Sequence, residues 1–322
     1  METNQSIKLD DFFNTTRCDI EEKISSTISD EKIREILHGG KRLRSLLTQL
    51  TFKVCTEGNE THDDYQRSLE SDVSIELAHG ASLVHDDIID KDAERRGKPA
   101  YHVKEGIGHA ILTGHRMLAI GFDIALNHGK EVAKLYVDSW NEVVNGEIDE
   151  VDFNIKGVSE PQNISLKSTI FEAYNKIIDL KTASLFSSAC EAGALEANMS
   201  GDILKVFKQY GREIGLAYQL ADDLVDLENG EMIDSVIIPL LNRIEKKPIK
   251  KGSLKRWEIK RKFAKNEGKI KQYYIDEITE HVRNAEKISK SNIIPKSSYK
   301  DMMIDAPSYI INKMLAEINI SI

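Results

Sequence analysis

Apolar residues recur three or four positions apart along most of the chain, which is the spacing of the buried face of an amphipathic α-helix. Between residues 68 and 90 this period is carried by Val73, Leu77, Ala81 and Val84. The same pattern predicts further helices over residues 109–127, 131–153, 168–196, 202–227 and 269–290. A strict two-residue alternation, which would indicate β-strands, does not continue for any length. The pattern therefore predicts an all-α fold.

The helical segments are separated by short runs of glycine, proline and polar residues. These breaks fall at residues 39–40, 57–64, 97–99, 157–161, 229–230 and 248–253. Each is too short for a linker between domains, and no repeat with a period of about 20–50 residues is present. We therefore predict a single domain over residues 1–322. It would be a large bundle of about ten or more helices with a central cavity.

Composition narrows the class of protein. The 322 residues are 40% hydrophobic and 30% charged, which is typical of a soluble globular protein and not of a disordered one. No apolar run reaches the ~18–20 residues of a membrane span, and the polar first residues do not resemble a secretory signal. The three cysteines, Cys18, Cys55 and Cys190, lie far apart. This excludes a disulfide framework and leads us to expect a cytoplasmic protein.

The net charge of −9 is distributed unevenly along the chain. Residues 243–271 contain thirteen Lys or Arg and three acids, a net of +10, which leaves about −19 for the rest. An acidic body argues against nucleic-acid binding. The basic segment has three interpretations: a solvated helical face, a patch that contacts a membrane surface peripherally, or a segment that faces phosphate groups.

Two groups of aspartates repeat one spacing, with acids at i, i+1 and i+4. They are Asp86, Asp87 and Asp90, and then Asp222, Asp223 and Asp226. On a helix the first and last acids of each group lie one turn apart on the same face, where they repel each other. Apolar neighbours draw that face toward the interior, where unpaired charge is costly. A cation between the groups would relieve the repulsion, and oxygen ligands suit Mg²⁺, which often binds together with substrate phosphates.

Three pairs of residues are candidates to hold such phosphates. They are Lys41 with Arg44, Arg95 with Arg96, and Lys181 with Thr182. The first pair follows Gly39-Gly40 at the predicted start of a helix, where free backbone N–H groups and the positive end of the helix dipole favour an anion. Each pair alone is weak evidence, and the combination of metal-binding acids with several basic groups is much more specific.

These motifs resemble, in their order along the chain, those of the trans-type polyprenyl diphosphate synthases. The resemblance covers roughly residues 35–241. It is carried by Gly39–Arg44, Glu76–Asp90, Arg95–Pro99 with His102, Lys181–Ala183 with Gly193-Ala194, Tyr210-Gly211, Gly215–Gln219 and Asp222–Asp226. Members of this family have an all-helical fold and join an allylic diphosphate to isopentenyl diphosphate, head to tail.

The resemblance implies a role for each candidate residue. The catalytic residues would be Asp86, Asp90, Asp222 and Lys181, and all six clustered aspartates would bind about three Mg²⁺ ions. Isopentenyl diphosphate would contact Lys41, Arg44, His79 and Arg96, and the allylic diphosphate would contact Arg95, Lys181, Thr182 and Gln219. The resemblance also implies a homodimer. The expected product is an all-trans prenyl diphosphate of twenty or more carbons.

The expected product length depends on the helix before Asp86, which would form a wall of the product tunnel. Ala81 and Ser82 lie one turn before the aspartate and Ala78 lies two turns before it, each turn spanning ~5.4 Å. All three side chains are small, so this wall does not stop a fifteen-carbon chain.

The sequence departs from the family pattern in several places. Ser45 replaces a proline, Gly114-His115 replaces Gly-Asp, and Gly146-Glu147 replaces Gly-Gln. Asp226 is followed by Pro239 after thirteen residues, so the usual loop is shorter and its diphosphate-binding lysine has no counterpart. A non-catalytic partner subunit of a heteromeric synthase is therefore a second interpretation. A terpene or head-to-head synthase of the same fold is a third.

Overall fold

The computed structural model describes residues 4–156, 166–230, 241 and 256–322, and side chains over 8–152, 172–230, 241 and 261–322. Its first half contains α1 (Asn4–Thr27), α2 (Glu31–Leu37), α3 (Leu43–Thr56), α4 (His62–Asp90), β1 (Glu94–Arg95), β2 (Lys98–Pro99), α5 (Tyr101–Glu105) and α6 (Ile107–Asn127). Its second half contains α7 (Lys130–Lys156), α8 (Leu166–Ile178), a π-helix (Asp179–Ala183), α9 (Ser184–Glu196), α10 (Asp202–Glu228), α11 (Arg256–Ser289), α12 (Ser298–Leu315) and a 3₁₀ turn (Ala316–Ile318).

The prediction of an all-α fold is confirmed, and each predicted helical segment coincides with one or more helices. The helix expected over 168–196 is continuous but contains the π-helical turn, which periodicity did not indicate. The sequence analysis also missed the short antiparallel hairpin of β1 and β2 and four helices, α1, α2, α5 and α12. The expected breaks at 157–161 and 248–253, the loop at 231–240 and residues 243–255 of the basic segment lie outside the described residues.

Polar residues fix where several helices begin. Thr61 accepts a hydrogen bond from the backbone N–H of Asp64, and the Asp64 carboxylate accepts one from the N–H of Thr61. This reciprocal pair satisfies backbone donors that the first turn of α4 leaves free, and such caps stabilise a helix by about 1 kcal/mol. The side chains of Asp30 and Ser297 also accept hydrogen bonds from backbone N–H groups, at the starts of α2 and α12.

The core forms where α10 packs against α9 and α11, and where α3 packs against α9. The largest fully buried side chains there include Phe52, Phe186, Phe207, Tyr210 and Tyr274. Burying one such apolar side chain contributes about 1.5–3 kcal/mol to folding. Close packing over α9 and α10 holds both helices rigidly, and α10 carries the second aspartate cluster.

Helix α6 runs antiparallel to α4 at close range. Ser74 donates a hydrogen bond to the carbonyl of Gly121, at 2.8 Å, and His85 lies against Gly114 further along the pair. A Cβ on Gly114 would fall 2.3 Å from the Nε2 atom of His85, so this glycine permits the approach. The residues before the first aspartate cluster are therefore covered by α6.

A cavity of about 380 Å³ lies between α8, α10 and α11. It is lined by Asn175, Lys176, Ile178, Asp179, Leu216, Leu220, Glu277 and His281, and so contains none of the clustered aspartates. Among the described helices, none is both long and apolar enough to cross a membrane.

Candidate functional site

The first aspartate cluster lies at the C-terminal end of α4. Asp87 is 3% exposed and accepts hydrogen bonds from the Nε and Nη2 atoms of Arg95, the former at 2.7 Å. Arg95 belongs to β1, so the hairpin directly after α4 returns a guanidinium to the cluster. Asp86 and Asp90, one turn apart, are more accessible than Asp87. Arg95 thus occupies Asp87, whereas Asp86 is partly exposed and Asp90 is exposed.

The second cluster, near the end of α10, has a similar division. Asp223 is 6% exposed, and its two oxygens accept hydrogen bonds from the amide of Gln219, at 3.0 Å, and from the phenol of Tyr174. Asp222 and Asp226 are partly exposed. Two of the six aspartates that were predicted to bind metal are therefore engaged by neighbouring side chains: Asp87 through Oδ1, and Asp223 through both oxygens.

The predicted phosphate-binding residues lie around both clusters. Lys181 Nζ is 3.0 Å from Asp86 Oδ1, which brings the π-helix to the first cluster. The positive charges of Lys41, Arg44 and Arg95 act on Asp222, which brings the second cluster into the same site. The structure therefore gathers residues from α3, α4, β1, the π-helix and α10.

Lys181 is surrounded by carboxylates. Its Nζ atom lies 2.9 Å from Glu147 and 2.7 Å from Glu150, in addition to Asp86. Burial alone would lower the pKa of Lys181, but the three carboxylates outweigh burial and raise it, so the ammonium stays charged. A Cβ on Gly146 would fall 2.7 Å from the backbone N of Lys181, so this glycine lets α7 reach the π-helix.

The π-helix positions two neighbouring side chains differently. Lys181 reaches α4 and α7, whereas the Thr182 hydroxyl donates to Oε1 of Gln219 on α10, at 2.7 Å. Single π-turns within α-helices occur frequently at functional sites because they change the direction of side chains along one face.

The acids carry uncompensated negative charge. Burial and the nearby Asp86 raise the pKa of Asp90 to about 6, and the same two causes raise the pKa of Glu147 to about 7. Burial also raises the pKa of Asp222, against the effect of the cations near it. Mg²⁺ prefers oxygen donors, and the carboxylates of Asp86, Asp90 and Asp222 are at least partly accessible, so these three residues fit this metal.

Within the described ranges, no group of three or more His, Cys, Asp or Glu side chains is gathered at metal-ligand spacing. Lys181 and Arg95 lie among the carboxylates of the first cluster and bond to Asp86 and Asp87. Together with the repulsion between like charges, these contacts explain why the acids are not drawn into a tighter set.

A second group of basic residues lies at the start of α3. Arg44 donates to Nε2 of His79 at 3.1 Å, and its guanidinium lies 4.5 Å over the ring of Phe186. Burial lowers the pKa of His79, and the charge of Arg44 lowers it further, so this imidazole is neutral. Lys41 is exposed, and Arg96 donates to the carbonyl of His38 at 2.8 Å.

Arg42, between Lys41 and Arg44, has a structural role instead. It is 3% exposed, and its guanidinium pairs with Glu21 at 2.8 Å and with Glu76 at 2.7 Å. These pairs tie α1 and α4 to the start of α3, which holds its neighbours Lys41 and Arg44 in place.

The residues predicted to form the tunnel wall lie on α4 before Asp86. Ala78 and Ala81 are buried, and Ser82 donates to the carbonyl of His79 at 2.7 Å. Met117, one of the side chains of α6, packs against Gly80 in the same region.

Sequence reasoning missed three residues of the site: Glu147, Glu150 and Tyr174. The Gly146-Glu147 departure was a signal for the first, because it placed an extra acid where an amide was expected. No sequence signal marked Tyr174 as a partner of Asp223, since the two lie 49 positions apart.

Comparison with known proteins gives the family. A family model described as polyprenyl synthetase matches residues 27–233. A short chain isoprenyl diphosphate synthase of Methanocaldococcus jannaschii is 32% identical over 194 residues, 59% of this chain and 54% of that protein. A geranylgeranyl diphosphate synthase of Sulfolobus acidocaldarius is 30% identical over 234 residues, 69% of this chain and 67% of that protein.

The fold is also similar to a solved structure. The decaprenyl diphosphate synthase from Rhodobacter capsulatus matches with a TM-score of 0.75 at 20% identity, covering 96% of this chain and 98% of that one. The chain spans about half the length, 54%, of the Methanocaldococcus relative, so the sequence match alone extends over part of that protein. The family model covers well over half of this chain, and the fold agrees with it. The chain therefore belongs to the polyprenyl synthetase family.

Proposed function

We propose that this chain is a Mg²⁺-dependent prenyltransferase that joins an allylic diphosphate to isopentenyl diphosphate, head to tail. The product would be an all-trans prenyl diphosphate of twenty or more carbons. The names of the related synthases from Methanocaldococcus and Sulfolobus support this class of reaction.

One observation carries the proposal. Two acid clusters, on α4 and α10, lie in one site with basic groups from α3, β1 and the π-helix, as the 3.0 Å contact of Lys181 with Asp86 and the effect of Arg95 on Asp222 indicate. A diphosphate carries several negative charges, so it needs cations on every side. The basic groups supply part of them, and the acids are suited to hold metal ions that supply the rest.

Each residue then has a task. Asp86, Asp90 and Asp222 would hold Mg²⁺, which neutralises the departing diphosphate when it is bound. Lys181 and Arg95 would bind the allylic diphosphate and stabilise charge that develops as it leaves. Arg44 and Arg96 would hold isopentenyl diphosphate, with the neutral His79 as a further partner. Asp87 would orient Arg95, whose Nε and Nη2 atoms both donate to its Oδ1.

The carboxylates around Lys181 keep its ammonium charged and fixed before substrate binds. Glu147 and Glu150 lie 2.9 and 2.7 Å from Nζ. A diphosphate oxygen would replace one of these contacts without moving the amine far. The proton that the new chain loses would pass to the released diphosphate, so no side-chain base is required.

The test is incubation of the purified chain with Mg²⁺, isopentenyl diphosphate and allylic primers of increasing length, followed by measurement of the products. We expect condensation with at least one primer, and none in the presence of a chelator. The matched control is Asp202→Asn, an exposed acid at the start of α10 that lies far along the helix from the cluster. Asp202→Asn should retain activity, and an inactive wild type would contradict the proposal and favour a partner subunit.

We further propose that a second copy of the chain covers an apolar surface on α6 and α7. Ile107, Leu112 and Leu126 are exposed on α6, and Val137 and Ile148 on α7, with Leu112 at 68%. Exposed apolar residues on adjoining helices are typical of an interface between identical subunits. Sedimentation should give a dimer, and Leu112→Lys should weaken it. Membrane contact by residues 243–271 stays a prediction.

A further inference from the structure

A network of hydrogen bonds surrounds the buried carboxylate of Asp223. Tyr174 on α8 donates to its Oδ2 atom, and Gln219 donates to Oδ1 at 3.0 Å. Gln219 in turn accepts a hydrogen bond from Thr182 at 2.7 Å, and the hydroxyl of Tyr274 lies 3.4 Å from that of Tyr174. The network joins α8, α10, α11 and the π-helix.

The geometry of these groups gives the direction of each hydrogen bond. Both oxygens of Asp223 accept, one from Tyr174 and the other from the NH₂ group of Gln219. Its carbonyl oxygen therefore faces Thr182, and the Thr182 hydroxyl has to donate its single proton to it. To any ligand on its other side, Thr182 then offers lone pairs and no proton. The direction depends on Asp223 holding the amide in one orientation.

We propose that Tyr174 is a positioning residue for the reaction, acting through Asp223 and Gln219 to fix the direction of the Thr182 hydroxyl. This inference rests on the proposed prenyl transfer. Tyr174 is 3% exposed and donates to the oxygen of Asp223 that Gln219 does not use. It thereby keeps the carboxylate plane from rotating. Thr182 adjoins Lys181, which we propose binds the allylic diphosphate, so the Thr182 hydroxyl would lie near the allylic carbon. Its lone pairs would be favourable there only as positive charge develops, so the effect would fall on kcat.

The same geometry gives Asp223 a different task from Asp222. Both of its oxygens are occupied by protein donors, and it is 6% exposed, whereas Asp222 is partly accessible. Asp223 therefore links Tyr174 to Gln219, and its removal disturbs Thr182 without removing a group that faces the cleft.

The first test compares Tyr174→Phe with Tyr210→Phe. Tyr210 is a matched control because it is also fully buried and donates one hydrogen bond, to the carbonyl of Met303 at 2.7 Å, away from the site. Both variants should lose a similar amount of thermal stability. Only Tyr174→Phe should lower kcat, by about tenfold, with the KM for both substrates within about twofold of wild type. Equal kcat values in the two variants would overturn the inference.

The second test is a double-mutant cycle of Tyr174→Phe with Thr182→Ala. If Tyr174 acts through the Thr182 hydroxyl, its substitution has no further effect on kcat once that hydroxyl is gone, so the double variant matches Thr182→Ala. Independent effects would multiply in the double variant, and that result would overturn the inference.

A third measurement does not depend on turnover. Mg²⁺ with inorganic diphosphate should raise the melting temperature of Tyr174→Phe as much as that of wild type, because Tyr174 lies outside the metal-binding acids. A lost increase would assign Tyr174 to metal binding and overturn the inference. If wild type does not condense prenyl diphosphates at all, the proposed function fails and this inference with it. An active wild type with an equally active Tyr174→Phe contradicts the inference alone.

Discussion

The two aspartate clusters have one spacing and two kinds of support. On α4, the middle acid Asp87 is paired with Arg95, which follows it by eight residues. On α10, the middle acid Asp223 is held by Tyr174, which precedes it by 49 residues and lies on another helix. The first cluster thus obtains its partner from the adjoining hairpin, and the second obtains it from tertiary packing.

This difference sets the charge around the middle acid of each cluster. Arg95 is a full cation, so the pair it forms with Asp87 is close to neutral, although burial still raises the pKa of Asp87. Tyr174 is neutral and cancels no charge, and burial raises the pKa of Asp223 to about 7 against the hydrogen bonds of Tyr174 and Gln219. The middle acid of the α4 cluster is therefore paired with a cation, whereas that of the α10 cluster is held by neutral donors.

The largest effect is expected from removing the accessible acids. Asp86→Asn and Asp222→Asn should each lower kcat by about a thousandfold, because a lost metal ligand removes charge stabilisation from the departing diphosphate. The two should differ in apo stability. Asp86→Asn removes one of three partners of Lys181 and should lower the melting temperature slightly, whereas Asp222→Asn removes a charge whose burial is unfavourable and should leave it equal or higher.

Steady-state kinetics with saturating substrates and thermal melts without metal measure both effects. Glu142→Gln on α7 is a suitable control, since the charge of Glu142 acts on Glu191 and Arg212, which belong to neither cluster. A variant of Asp222 that retains more than about a tenth of wild-type activity would contradict its assignment as a metal ligand.

The next largest effect is expected on stability, from removing the arginine that pairs with Asp87. Arg95→Met leaves Asp87 buried without its cation and should lower the free energy of unfolding by about 2 kcal/mol, less than for a fully buried pair because Arg95 is partly exposed. Adding Asp87→Asn should restore most of this loss. Urea titrations of the two variants and of the double variant measure it, and equal stability of Arg95→Met and wild type would show that the pair does not support α4.

A smaller effect is expected on the pH dependence of stability, through Asp223 of the α10 cluster. The pKa of Asp223 lies above its ordinary value of 3.8, at about 7, so the folded chain takes up a proton that the unfolded chain releases within this range. Stability from this group is therefore present at low pH and is lost as the pH rises through about 7. Without metal, wild type should lose about 2–4 °C more than Asp223→Asn between about pH 5 and pH 8. Parallel melting curves for the two proteins would contradict the raised pKa.

The sequence could predict what depends on local pattern. Helical periods located α4 and α10, the repeated aspartates gave the acids of the site, and Gly39-Gly40 located the start of α3. Arg95 was also found, because it follows its partner closely. Tyr174 and Glu150 were not found, because their partners lie on other helices. Any buried tyrosine or exposed glutamate would have given the same sequence pattern.

The π-turn was missed for a related reason. The residues of the segment 168–196 keep a helical period, and one wider turn at Asp179–Ala183 changes that period too little to be recognised. It nonetheless decides that Lys181 reaches α4 while Thr182 reaches α10. The candidate residues were therefore predictable as a set, and the directions of their side chains were not.

The two clusters also differ in the residues that lie one and two turns before the first aspartate of each. Substitution at these positions is expected to change the reaction rate least. On α4 these are the small Ala78, Ala81 and Ser82, whereas on α10 the residue equivalent to Ser82 is Tyr218, whose ring lies 5.3 Å from that of Phe186. A chain growing along α4 would therefore meet no bulky side chain at these positions. Ala81→Phe should shorten the main product by one or two isoprene units, because the aromatic ring fills that space and leaves the metal ligands unchanged. The first condensation should keep its rate within about threefold.

The variants Ala81→Phe and Ala217→Phe make a matched pair, because Ala217 is the equivalent residue on α10 and is also fully buried. Both introduce one aromatic ring into a packed interface, and both should lower the melting temperature through overpacking. Only the α4 variant should change the product, since the chain is expected to grow along that helix. Product lengths should be measured by chromatography after equal turnover of the first condensation. A wild-type product of fifteen carbons, or equal product profiles in Ala81→Phe and wild type, would contradict α4 as the wall of the tunnel.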